Sequence, residues 1–205
     1  MAHALRFVAA FCIILVSASA AQAVTLTFEN FAPAGGVVNI NPTSPYTESG
    51  FTISVTNPLA AVVDSAAPPD MAGNLTDFFG FDTSNTATLT FTGGTFDLAS
   101  LLIGTYALGS PPPSDMVIVG MLAGGGTLTA TFTGLTTATA ANLNWVGLQS
   151  VRFNNTSASS PSAGGLDDIV VTPSAAVPEV ESLTLLVLGL FGVVVAGTRQ
   201  LRRDA

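Results

Sequence analysis

Between Val24 and Thr172 the apolar residues come in short runs at every second position, separated by clusters of Gly, Pro, Asn and Ser, and no helical spacing is sustained. Such alternation sends successive side chains to opposite faces of an extended chain, so it predicts strands with one face toward a core. Thr25-Leu26-Thr27-Phe28-Glu29 turns Leu26 and Phe28 inward and Glu29 the other way, and Gly50 to Val55 and Thr86 to Phe91 repeat the habit. Thr95 to Gly104 alternates and then becomes continuously apolar. Met116 to Met121 and Thr127 to Phe132 flank Gly124-Gly125-Gly126, which predicts a hairpin. With Asn144 to Phe153 and Leu166 to Thr172 the set reaches about nine strands, an all-β antiparallel sandwich of jelly-roll type. Asn57 to Asn85, rich in Ala, Pro, Asp and Gly, reads as mostly loop.

The two ends differ from this pattern. Met1 to Arg6, the apolar Phe7 to Val16 and the small residues up to Ala21-Gln22-Ala23 form the three parts of a cleavable signal helix spanning residues 1–23. Signal peptidase is then expected to cut after Ala23, with Ala21 and Ala23 as the recognised small residues. Cys12 follows Phe11, too large for a lipoprotein site, so it reads as part of the apolar run. At the other end, residues 173–182 read as an extended linker, and Leu183 to Thr198 carries no charge. As a helix this last run reaches roughly 24 Å, a little short of the roughly 30 Å of a bilayer core, and residues 183–198 read as a single transmembrane helix. Arg199, Arg202 and Arg203, in the tail 199–205, keep that flank cytoplasmic and place residues 24–182 outside.

The intervening segment has no Cys, His or Lys, and Arg152 is its only base against Glu29, Glu48, Asp64, Asp70, Asp77, Asp82, Asp97, Asp115, Asp167 and Asp168. So acidic a surface repels nucleic acid. Thiol and imidazole catalysis have no residue to use, and a serine nucleophile has no base. What is left for an enzyme is a carboxylate pair, and no pair is marked out by its surroundings.

Val177-Pro178-Glu179, the apolar run and the Arg cluster together resemble the PEP-CTERM sorting signal of exported bacterial proteins, with Val180 where the family usually has a second proline. The resemblance implies processing by an exosortase-type protease and delivery to the cell surface or matrix. The order of strands in residues 24–172 resembles the galactose-binding-like and carbohydrate-binding-module jelly rolls. That second resemblance implies a first and a last strand lying side by side, with a structural calcium held by Glu29 and by Asp167 or Asp168.

Trp145, Tyr46 and Tyr106 are the residues best able to stack on a sugar ring, although Trp145 sits in a strand-like run that suits a core position. Phe78, Phe79 and Phe81 read as a core plug carried by the loop. Asp64, Asp70, Asp77 and Asp82 read as turn-capping, solvated acids. The function expected is that of a non-catalytic exported protein, structural or carbohydrate-binding in an exopolysaccharide layer; the alternative is a carboxylate enzyme acting on polysaccharide.

Overall fold

The structure is a computed structural model describing residues 21–67, 71–106, 113–157 and 163–174. The apolar run of the signal segment, most of the Pro-rich stretch before Ser114, the sorting motif, the apolar tail and its arginines lie outside these residues. No helix occurs among the described residues. The strands are β1 (Val24–Leu26), β2 (Val37–Ile40), β3 (Tyr46–Glu48), β4 (Phe51–Val55), β5 (Ala60–Val63) and β6 (Phe78–Asp82). They continue with β7 (Thr86–Phe91), β8 (Phe96–Tyr106), β9 (Ser114–Leu122), β10 (Thr127–Leu135), β11 (Thr139–Asn155) and β12 (Ala163–Pro173). Every pairing is antiparallel.

β11 divides the sheet into two layers. Its first part pairs with β8, from Thr139 opposite Ile103 to Leu148 opposite Phe96. Its last part runs between β7 and β9. The first layer is therefore β2-β5-β6-β12-β8 with the start of β11, and β1 lies beside β12; the second is β3-β4-β7, the end of β11, β9 and β10. Register slips on either side of Trp145, together with left-handed backbone at Asn144 (φ 50°) and Gly147 (φ 68°), let one strand serve both layers. Asp97 accepts the Gly147 N–H at 2.8 Å and holds the bend.

Residues from the two layers meet face to face. Phe51 of β4 and Phe96 of β8 share no ladder, yet their rings pack edge to face with centroids 5.4 Å apart. Phe28 touches Tyr46 of β3 at 4.9 Å and Phe79 of β6 at 5.9 Å, joining the layers at one corner. Leu26, Ile53, Leu89, Leu98, Ile118, Val151, Phe153 and Ile169 fill the same core. Burying each such side chain is worth about 2 kcal/mol against the cost of ordering the chain.

The segment 57–85, expected to be mostly loop, contains β5 and β6. The reason is burial on both faces. Val62, Phe79 and Phe81 point into the main core, while Ala61, Val63 and Phe78 point outward into a second cluster with Ala67 and Met71. A strand covered on both sides loses the alternation that marks a half-exposed one. Phe79 and Phe81 do plug the main core, from a strand rather than a loop, while Phe78 fills the second cluster. Met71 closes the second cluster over glycines: a Cβ on Gly104 or Gly165 would lie 2.9 or 2.6 Å from its sulfur. The chain before β6 thus covers part of the outer face of the first layer.

Candidate functional site

β1 and β6 share one edge of β12 and meet it end to end. Leu26 stands opposite Ile169 and Phe79 opposite Leu166, which leaves Asp167 and Asp168 at the junction. The first and last strands do lie side by side as expected. β12 is irregular here: Asp168 has φ 45° and the register with β8 shifts between Asp167 and Val170. Phe28 (φ 61°) and Asn30 (φ 62°) turn the chain away beyond β1, and Asn74 to Asp77 enters the junction from the other side.

Asp167 is fully buried. Its Oδ2 accepts hydrogen bonds from Thr76 Oγ1 at 2.6 Å and Asn74 Nδ2 at 2.9 Å, and its Oδ1 accepts the Asp168 N–H at 2.7 Å. Burial raises its pKa to about 6, and the donors from Thr76, Asn74 and the Asp168 backbone only partly oppose this. Thr76 Oγ1 is also 2.7 Å from Asn74 Oδ1, and a hydroxyl has one proton for the two acceptors. When Asp167 is protonated it can donate to Thr76, which then donates to Asn74.

Glu29 Oε1 accepts the Asp77 N–H at 3.2 Å, and Asp77 Oδ1 accepts the Ser65 N–H at 3.1 Å. Asp77 is buried, unlike the solvated acid expected at that position, because it ties the loop to the start of β6. Tyr46 donates to Glu48 Oε2 at 2.6 Å across the same corner. Burial, that hydrogen bond and the charges of Glu48 and Asp167 hold its phenol far above the ordinary range.

Among the described residues no three His, Cys, Asp or Glu side chains gather as a metal ion requires. Asp167 has both oxygens occupied by protein donors, and Glu29 reaches Asp77 rather than Asp167. Glu29 and Asp167 thus make separate hydrogen bonds among the described residues. Asp64 and Asp82 do cap turns, through Ala66 N–H and Ser84 N–H; Asp70 lies outside the described residues. Val24, the residue after the expected cleavage at Ala23, opens β1.

The stacking candidates are used internally. Tyr46 is buried beside Phe28 and Phe31. Tyr106 packs on Phe78 with centroids 5.2 Å apart, and burial followed by the Asp82 charge raises its pKa to about 12. Trp145 is half-buried over Gly120, where a Cβ would come within 2.8 Å of its ring.

The outer face of the second layer has a different chemistry. One cross-strand row runs Thr47, Thr52, Thr90, Ser150, Met121, Thr127. The next runs Ser54, Thr88, Arg152, Val119, Thr129, and a third Thr86, Asn154, Val117, Thr131. None of these side chains is buried, and the rows contain no acid. Arg152 lies exposed in the middle and makes no ion pair among the described residues. Period-two alternation marks an outward face, but only the strand order reveals that these hydroxyls form one surface.

No protein-family model matches the chain, and no curated protein matches it. Among solved structures it is similar to a mutant of the family 29 carbohydrate-binding module CBM29-2, with 9% identity, a TM-score of 0.42 and coverage of 74% of this chain and 92% of that one. It is also similar to the K1 cleaved adhesin domain of Lys-gingipain from Porphyromonas gingivalis W83, at 14% identity and TM-score 0.40 over 73% and 97% of the two chains. A third is the CBM22-1 xylan-binding domain of Paenibacillus barcinonensis Xyn10C, at 13% identity and TM-score 0.35 over 76% and 97%. At these scores the likenesses assign no ligand, site or reaction to this chain.

Proposed function

We propose that this is an exported, non-catalytic protein of the cell surface or extracellular matrix, whose jelly-roll domain is a structural or carbohydrate-contacting part of an exopolysaccharide layer. The observation that carries the reading is the open outer face of the second layer, where rows of Thr and Ser surround the exposed Arg152. Hydroxyls on neighbouring strands stand about 4.8 Å apart, and each both donates and accepts hydrogen bonds. A hydrated polysaccharide offers the same chemistry in return. Export is supported by the signal segment ending at Ala23, and surface sorting by Val177-Pro178-Glu179, the apolar tail and its terminal arginines.

A glycan array together with a hydrolysis assay on the purified protein tests the domain's role. Binding without turnover supports it, and released sugars would replace it with the carboxylate enzyme. Mass spectrometry of the native protein tests the sorting reading: a mature C-terminus near Glu179 supports exosortase processing, and an intact Ala205 removes it.

A further inference from the structure

We propose that two copies of this chain pair antiparallel through β10, so that their second layers join into one continuous sheet. Among the described residues β10 is bonded only to β9, along Thr127 opposite Met121 through Phe132 opposite Met116. Among the described residues no strand pairs with its other edge. Edge strands usually carry charge or proline or are very short. β1 and β3 have three residues each and β2 has four. β10 has nine, with no charge and no proline, and four of them are β-branched threonines.

Thr127-Leu128-Thr129-Ala130-Thr131-Phe132-Thr133 reads almost the same in both directions about Ala130. A two-fold pairing centred there sets Thr129 opposite Thr131 of the other copy on the outer face. On the inner face it sets Leu128 opposite Phe132 and Ala130 opposite Ala130. A one-residue slip would place apolar against hydroxyl throughout. The inner residues lack cover at present: Leu128 and Phe132 pack on the core but stay only half-buried. Those of a second copy would complete it.

The backbone agrees. Leu122 N–H donates to the Gly126 carbonyl at 3.1 Å. By the alternation of an antiparallel ladder, Leu128, Ala130 and Phe132 then turn their peptide groups toward β9, and Thr127, Thr129 and Thr131 turn theirs to the open edge. Each Thr129–Thr131 pair across the two-fold can exchange two hydrogen bonds. Ala130 then faces its symmetry mate as a non-hydrogen-bonded pair with side chains close together. Such isologous contact closes at two copies.

The full chain in mild detergent provides the test, with Cys12→Ser removing its only cysteine. Sedimentation equilibrium should give a concentration-dependent doubling of mass, lost in Thr131→Lys, whose melting temperature should match the parent's at concentrations where the parent is monomeric. Ala130→Cys should form a covalent dimer on mild oxidation far faster than Thr47→Cys at the opposite edge of the layer. A monomer at every concentration, a dimer indifferent to Thr131→Lys, or equal cross-linking at both positions would overturn the proposal. If Thr131→Lys does not fold, the cross-linking comparison still decides.

Discussion

The Tyr106 ring lies directly on Gly80, so close that a methyl group at Gly80 would sit 2.4 Å from the ring carbon Cζ. Tyr106 is also packed edge-on against Phe78, which limits its retreat. Gly80→Ala is expected to destabilise the domain by about 2 kcal/mol, in the range of core overpacking. Gly124→Ala, with nothing within 4 Å of the added carbon, is the matched control and should cost a few tenths of a kcal/mol at most. Equal urea midpoints for the two variants would refute the close approach.

Asn85 is buried between β4 and β7. Its Oδ1 accepts from the Thr56 N–H at 2.9 Å, the Thr56 hydroxyl at 3.0 Å and the Asn57 N–H at 3.2 Å, and its Nδ2 donates to the Asn57 carbonyl at 3.0 Å. Replacing it with Ala strands these backbone groups, which costs about 2 to 3 kcal/mol. Asn85→Asp keeps the acceptor but loses the donor, and is expected to fall between. Chemical denaturation of the three proteins checks the order.

Asp167 gives the domain a defined acid response. Its pKa rises on folding from 3.8 to about 6, so the folded state binds the proton more tightly than the unfolded chain. Its contribution is therefore most favourable below about pH 4 and is lost as pH climbs through about 6, by up to about 3 kcal/mol. Asp167→Asn cannot ionise. The stability of the parent relative to this variant should fall between pH 4 and pH 7 and stay level above; a flat difference would mean that the carboxyl titrates normally.

Calcium is expected to leave the melting midpoint where it is, because Thr76, Asn74 and the Asp168 N–H already occupy the Asp167 oxygens. Thermal melts with calcium and then with chelator decide this. An upward shift that the chelator reverses would mean that Asp167 exchanges these donors for the ion and draws Glu29 to it.

Much of the architecture was legible where a strand has one wet face. Leu26 and Phe28 inward, Glu29 outward, and the hairpin at Gly124 to Gly126 all follow from alternation and turn chemistry. β5 and β6 were not, because Met71 and its neighbours cover their second face and erase the period. The bend of β11 at Asn144 and Gly147 leaves a trace only in residues that tolerate left-handed backbone. Asp167 could be singled out as an acid on the last strand. Its partners Asn74 and Thr76 could not, since more than ninety residues separate them in sequence and only the end-to-end meeting of β1 and β6 brings them in.

β12 occupies the interior of the first layer. It is paired with β8 from Ala163 opposite Tyr106 to Pro173 opposite Phe96, and flanked on its other edge by β6 and then β1. The chain leaves this strand at Ser174, whose N–H is fastened to the Thr95 carbonyl at 2.9 Å. Any tension on the domain from its C-terminal side, such as flow pulling against a tether, therefore enters along the length of β12. It loads two ladders in shear at once instead of peeling an outer strand one bond at a time. A domain held in this way resists pulling along the axis of β12.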